Sequence, residues 1–411
     1  MKEKYLVVNA GSSSLKYSLY NAEDKKVIVS GNVEKINEDG SCIIIKANGN
    51  KKEIKQKIQN HQEAVEIVLN MLLENNFISS LDEIKGVGHR ILHGGEYYND
   101  SVLINEEVKS NIESLIPLGP LHLPGEILGV ECFEEKLPNV PQVAVFDTAF
   151  HQSIPKENYV YALPYDYYEK YGYRKYGFHG TSHKYITEQM QNKLGRKDIN
   201  IISCHLGNGS SITAIKDGKS YDTTMGMTPL AGLIMGTRSG DIDPSLVKQI
   251  AEDQNISLEE TLNILNYQSG LIGICGKNDL RDIEKLYEAG DERAKIAVKK
   301  LVRSIVKNIV DYYVLLEGNV DAIVFTAGIG ENSKYIREFV VKVLSSVMPL
   351  KLDEKTNNQI AGYEAIQEGI ITTEDSELPI FVLHTDEEIK ILEDTIDIIA
   401  NNEKLMRTGV K

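Results

Sequence analysis

Ser203-Cys-His-Leu-Gly-Asn-Gly-Ser-Ser-Ile-Thr-Ala-Ile215 decides how this chain is read. The mostly apolar run from Ile199 to Ile202 enters it as a buried strand ending at Cys204 and His205. Beyond Gly207 and Gly209, Ile212, Ala214 and Ile215 resume a strand. A strand, a tight glycine turn and a second strand can aim several backbone N–H groups at one point, which suits an anion such as phosphate. The same pattern also fits an ordinary β-hairpin. The start of the chain repeats the device. Tyr5-Leu-Val-Val-Asn9 is an apolar strand, Ala10-Gly-Ser-Ser-Ser14 is a small-residue turn, and Leu15 to Tyr20 alternates apolar with polar. Two such units, each rich in Gly and Ser with an Asn in or beside the turn, predict a duplicated fold. Its two hairpins are expected to face phosphate in one cleft.

Outward from these hairpins, Val27–Val33 and Cys42–Ala47 continue a strand rhythm, and Asn48 to Gln59 is a polar, lysine-rich loop or hairpin. Ala64, Val65, Val68, Leu69 and Leu72 recur at helical spacing from His61 to Glu74. Gly86 to Leu92 and Gln142 to Phe146 read as strands, with a helix ending near Lys136 between them. The tyrosine-dense stretch from Tyr159 to Phe178 is the expected crossing into a second domain, and Thr181 to Leu194 follows as a helix. Asp222 to Pro244 has no helical or strand period, and a stretch of that kind inside a compact chain is usually functional. Asp291 to about Leu316 is the longest expected helix, with Ala294, Val298, Leu301 and Ile305 on one face. A strand from Asp321 to Phe325 feeds a Gly-rich turn and a helix from Ser333; a strand over Pro379–Leu383 and a helix over Glu387–Asn401 close the chain. Strands alternating with helices over the whole length predict an α/β fold.

With 411 residues the chain has room for two or three domains. A net charge of −15 argues against nucleic acid or an anionic membrane as partner, since either calls for a basic face. A local Arg and His cluster can still admit an anionic substrate. Cys42, Cys132, Cys204 and Cys275 are widely spaced and form no CxxC pair, so a reducing compartment is expected. Neither a signal-peptide h-region nor an apolar run of about 18 residues is present, and the expectation is a cytoplasmic protein.

Three clusters place Arg or His where a strand runs into a turn, the usual rim of an α/β active site. They are His89-Arg90-Ile-Leu-His93, Asp147-Thr-Ala-Phe-His151 and Phe178-His179-Gly-Thr-Ser-His183. Arg suits a bidentate grip on carboxylate or phosphate, and His can donate to a phosphoryl oxygen. Each histidine taken alone can equally be structural. A zinc reading of the His-x3-His pairs lacks cysteine partners and a helical HExxH. Thr237-Arg238-Ser-Gly-Asp-Ile-Asp243-Pro sets an Arg in a Gly-rich loop near two carboxylates. It reads either as a surface Arg–Asp pair or as a guanidinium neutralising a phosphoryl group in flight. Thr326-Ala-Gly-Ile-Gly-Glu-Asn332 has neither dinucleotide-fold nor P-loop spacing, and is a turn made either for packing or for close approach to a ligand.

Taken together, Asn9-Ala-Gly-Ser-Ser-Ser-Leu-Lys16, Gly88-His-Arg-Ile-Leu-His-Gly-Gly95, Phe146-Asp-Thr-Ala-Phe-His151, Tyr176-Gly-Phe-His-Gly-Thr-Ser-His183, His205-Leu-Gly-Asn-Gly209, Gly236-Thr-Arg-Ser-Gly-Asp-Ile-Asp-Pro244 and Ala327-Gly-Ile-Gly-Glu-Asn332 resemble the acetate kinase family, in collinear order over nearly the whole chain. The resemblance implies a two-domain fold of the actin, Hsp70 and sugar-kinase type with a duplicated hairpin core. Residues 1–150 with 386–411 would form an N-terminal domain closed by the C-terminal helix. Residues 151–385 would bind nucleotide and carry a homodimer contact. The implied reaction is ATP + acetate ⇌ ADP + acetyl phosphate, by direct in-line transfer with Mg²⁺ or Mn²⁺.

By the same resemblance His179 and Arg238 stabilise the transition state, and Arg90 holds the carboxylate and the transferring phosphoryl. Asp147 is the essential acid. A carboxylate substrate is already ionised at neutral pH, so orienting Arg90 or the metal shell suits Asp147 better than general-base work. His122, Phe178, Pro229 and Leu92 would surround the acyl group. His205, Leu206, Gly207, Asn208 and Gly209 are implied for the nucleotide, with Asp279, Leu280, Arg281 and Gly328, Ile329, Gly330, Glu331, Asn332. Ser12, Ser14 and Lys16 would meet the phosphate end, and Asn9 and Glu387 the metal. Two departures stand out. Leu92 replaces the family's usual Val in the methyl pocket, which should shrink it. Thr385-Asp-Glu-Glu388 replaces Thr-Asn-Glu-Glu, which leaves open whether Asp386, Glu387 or Glu388 reaches the metal. Propionate kinase is the alternative within the class. An ATPase of the same fold without an acyl acceptor is the alternative outside it, and Arg90, His122 and His179 argue against it. Closure on ATP would hinge near 148–160 and 384–387.

Overall fold

A computed structural model describes residues 3–362 and 368–408, with side chains through Leu405. The chain divides into two units, Met1–Gln152 with Asp386–Lys411, and Ser153–Thr385.

The first unit is built on β1 (Lys4–Ala10), β2 (Ser14–Asn21), β3 (Val27–Glu34), β4 (Cys42–Ala47), β5 (Asn50–Lys55), β6 (Ile84–Ile91), β7 (Val102–Leu103) and β8 (Gln142–Phe146). Their order in the sheet is β5-β4-β3-β2-β1-β6-β8-β7. β1 runs antiparallel to β2 and parallel to β6, which in turn is parallel to β8. Side-chain alternation sends one set of residues to each face. Leu6, Val8 and Leu15 pack with Val65, Leu69 and Phe133 from helices His61–Glu74 and Leu123–Lys136. Tyr5, Val7, Val143 and Val145 pack on the other face with Ile391, Leu392 and Ile399 of helix Glu387–Thr408. That helix can approach β6 only because its partner positions are glycines. A Cβ on Gly88 would stand 2.2 Å from Thr395 Oγ1, and one on Gly86 2.4 Å from the Ile399 methyl.

The second unit has β9 (Ile201–Leu206), β10 (Ser210–Lys216), β11 (Lys219–Thr223), β12 (Ala322–Thr326), β13 (Gly369–Ile370) and β14 (Ile380–Val382), ordered β11-β10-β9-β12-β14-β13. β9 is antiparallel to β10 and parallel to β12, and β12 is parallel to β14. The 24-residue helix Glu292–Leu315 starts at Asp291, whose carboxylate accepts the Ala294 N–H at 2.7 Å, and it buries Ala294, Ala297, Val298, Leu301 and Ile305. β12 is buried along its whole length, as a parallel strand covered on both faces must be. The run β3-β2-β1-β6-β8 is therefore matched in order and sense by β11-β10-β9-β12-β14, and the duplicated α/β architecture foreseen from the two hairpins is present.

Several elements differ from their sequence reading. The polar stretch after Ala47 forms a hairpin through β5. The Gly-rich stretch before Ser333 is a short helix, Ala327–Asn332, rather than an open turn. Ala327 takes a left-handed φ of 63° to start it, and the Glu331 carboxylate reaches back to the Ala327 N–H at 2.7 Å. The tyrosine-rich stretch holds a short helix, Asp166–Tyr171, and lies wholly within the second unit. The final helix runs past Asn401 to Thr408. Among the described residues no helix is long and apolar enough to cross a membrane.

Candidate active site

In the first unit, parallel pairing of β6 with β8 sets Ile91 beside Phe146, so Arg90 and Asp147 emerge together at the carboxyl ends of neighbouring strands. Asp147 is 1% exposed, and its two oxygens meet Arg90 Nε at 3.1 Å and Nη2 at 2.5 Å. This is the two-pronged guanidinium–carboxylate geometry. Arg90 Nη1 takes no part in the fork. Burial lifts the Asp147 carboxyl above the usual range and Glu387 lifts it further, against the pull of Arg90. Arg90 is held protonated by Asp147 despite its burial. The backbone just beyond Arg90 is anchored from several sides. Ile91 C=O accepts the Asp147 N–H at 2.9 Å, Leu92 N–H donates to Glu126 Oε2 at 2.9 Å, and Gly94 N–H donates to Thr148 Oγ1 at 2.9 Å. Leu92 is 5% exposed, and a Cβ on Gly119 would lie 3.1 Å from its Cδ2. His122 occupies the N-cap position of helix Leu123–Lys136 and contributes to the electrostatics of Asp147.

Glu387 opens the final helix. Burial raises its carboxyl pKa, Arg90 opposes that, and Asp386 and Glu388 add to the rise. Its neighbours are committed elsewhere. Asp386 Oδ1 accepts the Ile389 N–H at 2.9 Å, and Glu388 Oε2 accepts from Ser18 Oγ at 2.6 Å and Tyr20 OH at 3.0 Å. In the first hairpin, Asn9 pairs with Lys16, and Ser12 and Lys16 are exposed. Ser14 accepts the Gly11 N–H through its carbonyl at 2.8 Å, closing the turn. Helix Leu123–Lys136 presses on this turn. A Cβ on Gly125 would stand 2.7 Å from the Gly11 carbonyl carbon, and one on Gly129 2.6 Å from Ala10 Cβ.

In the second unit the groups are mostly imidazoles and hydroxyls. His179 has a left-handed φ of 57° at the start of helix Gly180–Leu194, and its Nδ1 lies 2.9 Å from Ser211 Oγ. Its ring stacks on His205 at 4.2 Å between centroids. Ser182 Oγ is 2.8 Å from His205 Nδ1, and His183 joins Ser203 at 2.9 Å and Ser211 at 2.8 Å. Arg238 Nη1 donates to Pro229 C=O at 3.4 Å. Gly209 lies against both catalytic candidates: a Cβ there would be 3.4 Å from Arg238 Nη1 and 3.4 Å from His179 Nε2. Phe178 is buried beneath. The loop 224–244 lacks helix and strand, but Met235 N–H to Arg238 C=O at 3.1 Å and Asp241 N–H to Gly232 C=O at 3.0 Å hold its shape.

Residues from three distant segments line one cavity of about 350 Å³: Gly207 and Asn208, then Asn278 to Arg281, then Gly328 and Ile329. Asn208 is fixed by the Gly236 N–H, which donates to its carbonyl at 3.0 Å. The Arg281 guanidinium pairs with Asp279 and holds that carboxyl down at about 2. Not every residue assigned to the nucleotide by resemblance faces this cavity. Leu206 is buried, Asn332 donates back to Gly328 C=O at 2.9 Å, and the Glu331 carboxylate is taken up by the Ala327 N–H and by His384 Nδ1 at 2.8 Å. Gly330 lends its carbonyl to Arg337 at 2.9 Å. Sequence reasoning passed over Arg337, which is fully buried and also donates to Glu331 C=O at 2.7 Å and Asn357 Oδ1 at 2.8 Å. It passed over Glu126 and Ser211 as well; inside a helix and a strand, they carry no signal of which way they point.

Two sheets of one topology, each with a Gly/Ser-turned hairpin, define a duplicated α/β protein. The family model described as the acetokinase family matches residues 4–393. The chain is 51% identical over 396 residues to the acetate kinase of Bacillus cytotoxicus, covering 96% of this chain and 98% of that protein. Its structure is similar to the crystal structure of Porphyromonas gingivalis acetate kinase, with a TM-score of 0.91, 41% identity and coverage of 97% and 100%. It is similar also to a propionate kinase from Francisella tularensis, with a TM-score of 0.90, 41% identity and coverage of 96% and 100%. The chain belongs to the acetokinase family.

Proposed function

We propose that this protein is an acetate kinase, transferring the γ-phosphoryl of ATP to acetate to give acetyl phosphate, reversibly and without a covalent enzyme intermediate. The observation that carries this reading is the Arg90–Asp147 fork at the strand ends. A half-buried guanidinium already aligned by one carboxylate is suited to grip a second, and a bare ATPase has no use for it. Asp147 serves as the orienting partner of Arg90. The family likeness assigns His122, Leu92, Pro229 and Phe178 to the acyl group. Leu92 makes a small pocket that favours two carbons over three, though one methylene is worth only ~1–3 kcal/mol.

His179 and Arg238 stabilise the oxygens of the phosphoryl in transfer, with backbone N–H groups near Gly209 beside them. The cavity lined by Asn208, Asp279 to Arg281, Gly328 and Ile329 takes the nucleoside. Ser12, Ser14 and Lys16 meet the phosphate end. A divalent ion, read as Mg²⁺ with Mn²⁺ as substitute, would be held by Asn9 and Glu387. The donor set fits: Glu387 and Asp147 face one guanidinium, and Mg²⁺ takes few carboxylates plus waters and phosphate oxygens. Such an ion would supply neutralisation of phosphate charge. Asp386 and Glu388 are engaged by the helix start and by Ser18 and Tyr20, which supports Glu387 as the ligand. A homodimer through the 151–385 domain and a cytoplasmic location rest on the family likeness; sedimentation and fractionation test them.

Acyl hydroxamate formation with ATP across formate, acetate, propionate and butyrate tests the reading. A kcat/KM peak at acetate is expected. A peak at propionate would favour the second reading, to which the equal likeness to a propionate kinase points. ATP hydrolysis without acyl product would overturn both.

A further inference from the structure

We infer that Glu126 is a positioning residue for the acyl acceptor, tying the wall of its pocket to the helix that carries His122. The inference rests on the reading of a short carboxylate as acceptor and goes beyond it to a residue that none of the site motifs contains. Glu126 is 2% exposed and sits in the first turn of helix Leu123–Lys136, whose N-cap position is His122. Its Oε2 accepts the Leu92 N–H at 2.9 Å, across 34 residues of chain. Leu92 is the first residue beyond β6, two past Arg90. One hydrogen bond thus sets the distance between two of the side chains assigned to the acyl group, His122 and Leu92, and steadies the strand end that presents Arg90.

The other anchors of this segment, Asp147 N–H to Ile91 and Gly94 N–H to Thr148, connect it to the end of β8 and not to the helix. Glu126 alone among these contacts spans to the His122 side. The charged groups that face it are Arg90 from β6 and Asp147 from the end of β8. Burial raises its carboxyl to about 8, with Arg90 and the Leu92 N–H drawing it down and Asp147 pushing it up. Near neutral pH it is therefore largely uncharged. It can accept from Leu92 without competing with Asp147 for the Arg90 guanidinium, which stays available to a substrate carboxylate.

The test compares near-isosteric replacements. Glu126→Gln keeps an oxygen that accepts the Leu92 N–H, whereas Glu126→Met fills the space without an acceptor. Leaving a buried N–H unsatisfied is expected to raise KM for acetate about tenfold in Glu126→Met, with KM for ATP unmoved, while Glu126→Gln stays close to the parent. If Glu126→Met does not fold, Glu126→Asp, one methylene short of Leu92, is expected to raise KM for acetate in the same selective way. Equal KM for acetate in parent and Glu126→Met, or parallel rises in both KM values, would overturn the inference and leave Glu126 a packing residue. A parent that forms acyl hydroxamate from none of the four acids would instead sink the acceptor reading itself, so the two failures are distinguishable.

Discussion

The two units use one sheet topology for opposite electrostatic ends. In the first, an arginine faces the buried carboxyls of Asp147 and Glu126 and the half-buried Glu387, and every shift among these groups is driven first by burial or by a neighbouring charge. In the second, imidazoles and hydroxyls gather on β9, β10 and the start of helix Gly180–Leu194: His179, His183 and His205 are bound to Ser211, Ser203 and Ser182. A charged fork selects a carboxylate by shape and charge. Imidazole and hydroxyl groups, with Arg238, can hydrogen-bond the oxygens of a phosphoryl group whose charge is being redistributed. Duplication supplied the scaffold, and the division of labour lies in the residues that cap its strands.

The largest expected effect bears on this contrast directly. Arg90→Ala and Arg238→Ala should each lower kcat by ~10³–10⁵, the scale of arginine contributions in phosphoryl transfer. Their melting should differ, because Arg90→Ala strands a buried Asp147 carboxylate at a cost of ~3–5 kcal/mol. Arg238 is half-buried and meets Pro229 through a carbonyl, so its loss should cost less. Equal thermal stability for the two variants would break the contrast. Next in size is Gly125→Ala, whose Cβ would strike the Gly11 backbone at 2.7 Å. Overpacking of this kind should cost ~1–3 kcal/mol in denaturant titration, and it should weaken the phosphate turn as well.

Gly236→Ala sharpens the comparison from the other side. Its Cβ would fall 1.7 Å from Asn208 Oδ1, so the Asn208 side chain must swing aside from its place in the cavity. KM for ATP should rise about tenfold, equal to ~1.4 kcal/mol of binding, with KM for acetate unchanged. An unchanged KM for ATP would remove Asn208 from the nucleotide site.

A further effect is one of pH. The folded Glu126 holds its proton up to about 8, whereas in the unfolded chain it is released near the ordinary value of ~4.3. Between those values the native state binds the proton that the unfolded state has lost, so stability falls as pH rises through the window. Glu126→Gln should flatten that slope of Tm against pH. An unaltered slope would place the titration elsewhere, with Asp147 the first candidate.

Much of this was legible in the chain itself, for reasons that can be stated. Hairpins with glycine turns, buried runs such as Gln142–Phe146 and long periodic helices such as Glu292–Leu315 declare themselves through local spacing. Arg90 and Asp147 announced themselves by standing at strand ends. Orientation inside an element did not. Glu331 and Asn332 lie in a Gly-rich motif yet turn their polar atoms to neighbouring protein groups, Glu331 to the Ala327 N–H and His384, Asn332 to the Gly328 C=O, and Ala327–Asn332 is helical because Glu331 caps its start. Arg337 satisfies carbonyls at the end of that helix from another helix altogether, a contact that only tertiary packing creates.

Helix Leu123–Lys136 touches two sites at once. Through Glu126 it holds Leu92, and through Gly125 and Gly129 it lies flush against the Ala10–Ser12 backbone. Acceptor size and phosphate grip therefore share one rigid part. A lineage that widened the pocket by sliding this helix would pay in its first hairpin. Substitutions at Leu92 alone, or paired changes at Leu92 and Gly119, are the routes by which a new acid could be accommodated without that epistatic penalty.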